Sequence, residues 1–173
     1  MKQKIIYTIG HSTRPIEDFI DLLRSYEIEM LIDVRTIPKS RFNPQYNEEI
    51  LNSVLKDSGI RYQHLTKLGG LRHTIKDSVN IGWRNLSFRG FADYMQTSLF
   101  KEGLEELETL GKEYKSAIMC AEAVPWRCHR SLIADALTVH KWKVLHILSK
   151  KSIKLHELTS FLQIKKGQLV YEK

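Results

Sequence analysis

The side chains best suited to chemistry lie within one stretch of eleven residues, from Cys120 to Arg130. This stretch holds both cysteines of the chain, a carboxylate, an indole, an imidazole and two guanidinium groups: Cys120, Glu122, Trp126, Arg127, Cys128, His129 and Arg130. A short apolar run, Ala117–Met119, precedes it, and apolar residues at helical spacing, Leu132–Leu137, follow it. The pattern predicts a strand-to-helix connection, which is where open α/β sheets bind their ligands.

The chemistry that these residues predict is anion binding combined with a reactive thiol. A helix N-terminus carries partial positive charge, and Arg127, His129 and Arg130 would make it a site for phosphate, sulfate or carboxylate. The same field lowers the pKa of a nearby thiol, so Cys128, closer to the cations, is expected to be the better nucleophile than a packed Cys120. Proton transfer would fall to Glu122, His129 or His11. The alternative is that both thiols are small buried side chains and the arginines cover a helix end.

Metal binding by the same residues is disfavoured by their spacing. Cys128 and His129 are adjacent, so at a helix start they point about 100° apart and seldom reach one ion. The sequence contains no Cys-x-x-Cys pair. We therefore predict no stoichiometric metal and no cofactor.

The bulk composition favours an acidic partner. The 173 residues carry a formal charge of +7, and the isoelectric point is near 9.4. Such a chain is expected to meet an anionic small molecule or nucleic acid. No apolar run reaches membrane-spanning length and the first residues do not resemble a signal peptide, so a cytoplasmic protein with free thiols is expected.

The elements that must position the thiol stretch follow from apolar periodicity. Five runs predict strands: Ile5–Ile9, Met30–Arg35, Ile60–Leu65, Ala117–Met119 and Lys143–Leu148. Helical patterns separate them, the first capped by Ser12 or Thr13 and the second by Asn47. The prediction is a single α/β domain over residues 1–173, with a mainly parallel sheet of about five strands and helices on both faces. Residues 150–173 are expected to form a basic appendage with a short helix at Leu155–Leu162 and an edge strand at Leu169–Tyr171.

Further candidate site residues follow the carboxyl ends of these strands. His11 follows the first strand, Asp33 and Arg35 end the second, and Gly69 and Gly70 come after the third. Because the carboxyl ends of parallel strands meet at one edge, these residues should converge with the thiol stretch on one cleft. Each has a plainer alternative: helix-end hydrogen bonding, a loop-anchoring salt bridge and a tight turn, respectively.

Two loops complete the predicted cleft. Residues 36–46 combine two prolines with cations, aromatic rings and small polar groups, which suits phosphate binding or base stacking but also an ordinary packed loop. The candidate contacts there are Lys39, Ser40, Arg41 and Asn43. The long connection from His73 to Arg89 is expected to be an ordered cover, with Arg72 and Arg89 contributing to the site.

Several motifs resemble those of the domain-of-unknown-function 488 (DUF488) family. They are Tyr7–Ser12, Leu31–Arg35, Pro38–Asn43, Leu68–Gly70 and above all Cys120–Arg130. The resemblance implies no settled activity, although some relatives carry labels that link them to DNA repair. A fainter similarity to rhodanese-like domains rests on Asp33-Val34-Arg35 and on the cysteine–arginine loop. That loop departs from theirs, since six residues separate Cys120 from Arg127 and one separates Cys128 from Arg130.

Two functions are consistent with these features. The first is an enzyme, a thiol-dependent hydrolase or transferase of a phosphate-bearing, nucleotide-like or nucleic-acid substrate. The second is a non-catalytic nucleic-acid-binding module, accessory to DNA repair. Its expected contacts are Lys39, Arg41, Phe42, Tyr46, Arg72 and Arg89.

Overall fold

Six strands form the central sheet of the computed structural model, which describes residues 3–172. In spatial order they are β3 (Arg61–His64), β2 (Met30–Asp33), β4 (Ser116–Cys120), β1 (Ile5–Gly10), β5 (Lys143–Ser149) and β6 (Ser152–Leu155). The first five are parallel, and β6 is antiparallel to β5. The prediction of a single α/β domain with a mainly parallel sheet is confirmed.

Helices cover both faces of this sheet. They are α1 (Ile16–Ser25), α2 (Glu48–Asp57), α3 (Leu86–Tyr94), α4 (Ser98–Glu113) and α5 (Arg130–Val139). Alternate residues of a strand point to opposite faces, so Ala117 and Met119 of β4 pack on the α1–α2 side. Ile118 and Cys120 pack on the side of α3, α4 and α5. Cys120 thus ends its strand facing the N-terminus of α5.

The helix caps differ from those predicted at two positions. Neither Ser12 nor Thr13 caps α1, because Pro15 occupies the cap position and no side chain there accepts a helix N–H. Asn47 does precede α2, but its side-chain oxygen accepts the N–H of Ser40, 2.7 Å away, and ties down the preceding loop instead.

The C-terminal segment folds differently from the prediction. The expected helix over Leu155–Leu162 is wrong, and a hairpin forms from β7 (Leu162–Lys165) and β8 (Gln168–Tyr171). Leu155 and Leu158 remain exposed, so these leucines at helical spacing do not pack against the core. The strand expected at Leu169–Tyr171 exists, but it pairs with β7 and not with the edge of the main sheet. Within residues 3–172, no helix combines the length and apolarity required to cross a bilayer.

Candidate active site

A cleft of about 470 Å³ opens at the carboxyl ends of β2 and β4. Eight of the predicted site residues line it: Arg35, Lys39, Gly70, Cys120, Glu122, Arg127, Cys128 and His129. The remaining lining residues come from the loops after β2, β3 and β4 and from the start of α3: Thr36, Ile37, Leu71, Ala121, Asn85, Ser87 and Phe88. The predicted convergence of the second strand with the thiol stretch is therefore present in the fold.

Both thiols lie in the wall of this cleft, in contact with each other. Cys120 ends β4, and a short 3₁₀ turn, Pro125–Arg127, returns the chain so that Cys128 precedes α5. The two Sγ atoms are 2.7 Å apart, both side chains are buried and both are free thiols. At that separation one sulfur donates its proton to the other, so the pair titrates as a unit.

Arg130 supplies an uncompensated positive charge beside the thiols. Its side chain is fully buried, with Nη1 donating to Thr8 Oγ1 (3.1 Å) and Nη2 to the Glu122 carbonyl oxygen (2.9 Å). Among the described residues no carboxylate forms an ion pair with it. A buried guanidinium of this kind requires a nearby negative charge, and Cys120 is positioned to provide one as a thiolate.

The surroundings of the two thiols shift their pKa values in opposite directions. Burial acts to raise the pKa of Cys120, but the hydrogen bond from Cys128 and the charge of Arg130 outweigh it and lower this pKa to about 7. Burial and the adjacent Cys120 sulfur raise the pKa of Cys128 well above its ordinary value. These directions favour Cys120 as the more acidic thiol, because Cys128 is the donor of the pair, whereas the sequence favoured Cys128.

His129 is held as a neutral imidazole with its acceptor nitrogen towards the thiols. Nε2 lies 2.8 Å from the carbonyl oxygen of Val34, which can only accept, so Nε2 carries the proton. The unprotonated nitrogen is then Nδ1, which lies 3.4 Å from Cys128 Sγ. Burial lowers the pKa of His129 to about 4. A side chain at Gly70 would collide with this ring, so the glycine makes room for the imidazole.

Arg35 is both a loop anchor and part of the cleft wall. Nε and Nη2 donate to the two carboxylate oxygens of Asp33 (2.9 and 2.7 Å), and Nη2 also reaches the Tyr46 carbonyl oxygen (2.8 Å). Nη1 is buried and has no hydrogen-bond partner within residues 3–172. The sequence left open whether Asp33 and Arg35 contact a ligand or form a salt bridge that anchors the loop. Both roles are compatible, because the ion pair fixes a guanidinium that keeps one donor nitrogen for a ligand.

The geometry of the thiol stretch can be compared with known families. The model of the family described as domain of unknown function DUF488 matches residues 15–137. The chain belongs to the DUF488 family. No curated protein and no solved structure matches it. The similarity to rhodanese-like domains stays a prediction.

The DUF488 match includes every residue that lines the cleft but not His11, which the structure places outside the cleft lining. Its imidazole stacks on Tyr46 with ring centroids 4.1 Å apart, and Nδ1 lies 2.8 Å from the Ser12 carbonyl oxygen. Burial lowers the pKa of His11 to about 4. The structure therefore places His11 away from the lining of the cleft in which it was expected to transfer protons.

Two arginines of the DUF488 chain that were predicted to contact a ligand bond to other groups of the protein and do not line the cleft. Arg72 donates to the Gly69 carbonyl oxygen and its guanidinium lies 3.6 Å from the centroid of the Tyr94 ring. Arg89 donates to the carbonyl oxygen of Trp83. For both cations, the hydrogen bonds in the described part of the chain are to backbone carbonyl oxygens, and their predicted contact with a ligand stays a prediction.

Loop residues around the cleft are likewise structural. The Ser40 hydroxyl accepts the N–H of Asn43, so both shape the loop and neither lines the cleft. Trp126 and Arg41 are also outside it, Trp126 under the Lys154 ammonium and Arg41 on the exposed surface. Gly69 makes room for the side chain of Thr36 and not for a ligand.

The residues that sequence reasoning missed in this DUF488 site lie at the start of α3. Asn85 caps that helix by accepting the N–H groups of Ser87 and Phe88, and all three line the cleft. The helix begins at Leu86, five residues before the apolar residue Phe91 from which it was predicted. The signal was present, since an asparagine before a run of helix formers is a preferred N-cap.

Metal ligands are not brought together in the part of the chain that the structure describes. No group of three or more His, Cys, Asp or Glu side chains within residues 3–172 is arranged to hold an ion. The predicted lack of a metal and of a cofactor stays a prediction.

Proposed function

We propose that the protein is a thiol-dependent hydrolase or transferase that acts on a phosphate-bearing substrate bound in the cleft. The observation that carries the proposal is the Cys120–Cys128 pair beside Arg130, a fully buried cation with no carboxylate partner among the described residues. Such an arrangement favours a thiolate on Cys120 near neutral pH, and the thiolate is the nucleophilic form of cysteine.

The charges of the cleft support an anionic substrate. Three cationic side chains line it, Arg35, Lys39 and Arg127, against one carboxylate, Glu122. Arg35 is held in place by Asp33 and retains a buried nitrogen that has no partner in the described part of the chain. A planar guanidinium fixed in this way suits the oxygens of a phosphate group.

In the proposed reaction the Cys120 thiolate forms a bond to the substrate atom, phosphorus or carbon, that bears the leaving group. The bond to the leaving group breaks, and the leaving group takes the proton of Cys128. Water in a hydrolase, or a second substrate in a transferase, then displaces the Cys120 sulfur and returns a proton to Cys128. Covalent catalysis of this kind divides one difficult step into two easier ones.

The experiment is a turnover and trapping assay with defined phosphate compounds. AMP, ADP, ribose 5-phosphate and p-nitrophenyl phosphate are each incubated with the protein, and the acid-quenched chain is weighed by intact mass spectrometry. We expect turnover of at least one compound, loss of more than about 100-fold in Cys120→Ser, and no change in Arg24→Gln. Arg24 lies at the far end of α1, bonded to the Ser58 carbonyl oxygen. Turnover that survives in Cys120→Ser, or no turnover and no adduct with any compound, would contradict the proposal.

A second candidate function, binding of single-stranded nucleic acid, is favoured by one exposed aromatic ring. Phe42 is 86% exposed, with the Arg41 guanidinium 5.8 Å from its ring centroid. Exposed aromatic rings beside cations stack on bases. Fewer residues are available to contact nucleic acid than the sequence indicated. Tyr46 is fully buried, and Arg72 and Arg89 have internal partners.

Salt dependence tests this candidate. Binding of a fluorescent oligothymidylate should fall steeply between low and physiological salt, and Phe42→Ala should weaken it several-fold while Arg24→Gln leaves it unchanged. Undetectable binding at low salt would exclude the candidate without affecting the proposed thiol chemistry.

A further inference from the structure

A continuous chain of buried hydrogen bonds runs from Arg130 to a second element of the fold. Arg130 Nη1 donates to Thr8 Oγ1 on β1, and Thr8 Oγ1 lies 2.6 Å from His146 Nδ1 on β5. His146 Nε2 lies 2.8 Å from His156 Nδ1, in the segment after β6. His156 Nε2 lies 2.7 Å from Asp135 Oδ1 on α5.

The chemistry of the two ends fixes the direction of the outermost bonds of this chain. Asp135 accepts from His156, from the N–H and hydroxyl of Thr159, and from the Tyr171 hydroxyl. His156 therefore carries a proton on Nε2. Between the two rings, one of His146 Nε2 and His156 Nδ1 donates to the other.

Thr8 links Arg130 to the first imidazole. Its oxygen accepts from Arg130, which has donors only, and also bonds to His146 Nδ1. Burial, with the charges of His156, Arg130 and Lys154, lowers the pKa of His146 to about 3. A buried guanidinium and a buried aspartate side chain are thereby joined through two imidazoles and a hydroxyl.

This chain ends at the thiols by way of Arg130. The other side of the guanidinium donates to the Glu122 carbonyl oxygen, which lies 3.7 Å from Cys120 Sγ. Among residues 3–172, Arg130 Nε has no hydrogen-bond partner, and the guanidinium is held by Thr8 and Glu122. Loss of the Thr8 hydroxyl would leave a buried donor unsatisfied and release the guanidinium from one of its two fixed points.

We propose that Thr8, His146 and His156 are positioning residues of the thiol site, which hold the Arg130 guanidinium against the Glu122 carbonyl group and the Cys120–Cys128 pair. The inference rests on the proposed function and deepens it, because it names what keeps the counter-charge of the thiolate in place. It also gives the C-terminal segment a role in the site, since His156, Thr159 and Tyr171 lie beyond residue 137, where the family match ends.

The test compares removal of a hydrogen bond with its conservative replacement. Thr8→Val keeps the side-chain shape without the hydroxyl, and Thr8→Ser keeps the hydroxyl. His156→Phe breaks the chain at its second histidine, and His156→Gln retains a donor and an acceptor there. Each folded variant is alkylated with iodoacetamide across pH 5.5–9.5, with peptide mapping of Cys120 and with circular dichroism and thermal melting as folding controls.

We expect Thr8→Val to raise the pKa of Cys120 by about one unit, which slows its alkylation about fivefold at pH 7 and about tenfold at pH 5.5, and Thr8→Ser to restore most of the rate. His156→Phe should shift the profile in the same direction and His156→Gln less so. Unchanged profiles in folded Thr8→Val and His156→Phe would overturn the inference alone. If Cys120 of the wild-type protein reacts only above about pH 8.5, the proposed function and this inference fail together, so the two failures are distinguishable. If Thr8→Val does not fold, His156→Phe still tests the inference.

Discussion

The carbonyl oxygen of Glu122 lies over Gly10, in the volume that the Cβ atom of any other residue would occupy. Gly10 pairs with Cys120 across β1 and β4, and the same oxygen accepts from Arg130. A glycine that ends β1 is thus what allows the backbone after Cys120 to turn back over the sheet and meet the guanidinium.

Gly10→Ala should therefore impair the site as well as the fold. The added methyl group must displace the Glu122 carbonyl, which we expect to lower the free energy of unfolding by about 1–3 kcal/mol and to slow Cys120 alkylation. The matched control is Gly59→Ala, where φ is 76° and no atom lies near the new methyl group. The control should lose about 1–2 kcal/mol of stability from backbone strain and keep its thiol reactivity. Equal thiol reactivity in the two variants would contradict this account of Gly10.

The protein should lose stability on mild acidification. The pKa values of His11 and His129 are lowered to about 4 and that of His146 to about 3, chiefly by burial, whereas the unfolded value is near 6.5. Between these limits the unfolded chain binds protons that the folded chain does not, so stability is complete above about pH 6.5 and falls as the pH drops towards 4. Urea denaturation at pH 7 and pH 5 should differ by about 1–2 kcal/mol per histidine. His146→Gln should reduce the difference in the free energy of unfolding between pH 7 and pH 5 by the contribution of one histidine. A free energy of unfolding that does not change with pH would contradict the prediction.

The Asp33–Arg35 ion pair should behave as a buried unit. Arg35→Met leaves the wholly buried Asp33 carboxylate without its counter-charge, which we expect to cost about 3–5 kcal/mol. The double variant Asp33→Asn with Arg35→Met should recover part of that loss, because no uncompensated charge remains. Urea denaturation of the single and double variants measures the coupling, and strictly additive free energies would show that the pair is not coupled.

Anion binding should depend on the cleft cations and not on basic residues in general. AMP and inorganic phosphate are the probes, and a ligand at ~100 times its dissociation constant adds about 2.7 kcal/mol of stability. We expect Lys39→Gln and Arg127→Gln each to weaken binding about 3- to 10-fold, in line with the loss of one charge-assisted contact. Arg41→Gln removes a nearby cation that does not line the cleft and should bind as the wild type does. Equal losses in all three variants would indicate nonspecific attraction.

The sequence was sufficient for the main architecture and for part of the site. Apolar runs that end in polar residues gave the five parallel strands, and their common carboxyl edge brought Arg35 and the thiol stretch to one cleft. The C-terminal hairpin was missed because its turn depends on Lys166 and Gly167, both with positive φ, while the leucine spacing nearby suggested a helix.

The electrostatic details of the site could not be obtained from spacing along the chain. Which thiol is the more acidic depends on which sulfur donates to the other, and Cys128 lies closer to the cations in sequence while being the donor in space. The contacts that hold Arg130 come from Thr8 and, through it, His146, residues more than a hundred positions apart. Nothing in a local pattern indicates a pairing of that kind.

The most direct measurement of the central claim is the pH dependence of iodoacetamide alkylation, resolved for Cys120 and Cys128 by peptide mapping. The account predicts that Cys120 reacts first, with an apparent pKa near 7 that Cys128→Ser largely preserves and Cys128→Ala raises, because only the serine hydroxyl can replace the donated hydrogen bond. If both thiols react only above about pH 8.5, or if Cys128 is the one that titrates near neutrality, the buried Arg130 does not have the Cys120 thiolate as its counter-charge and the account is contradicted.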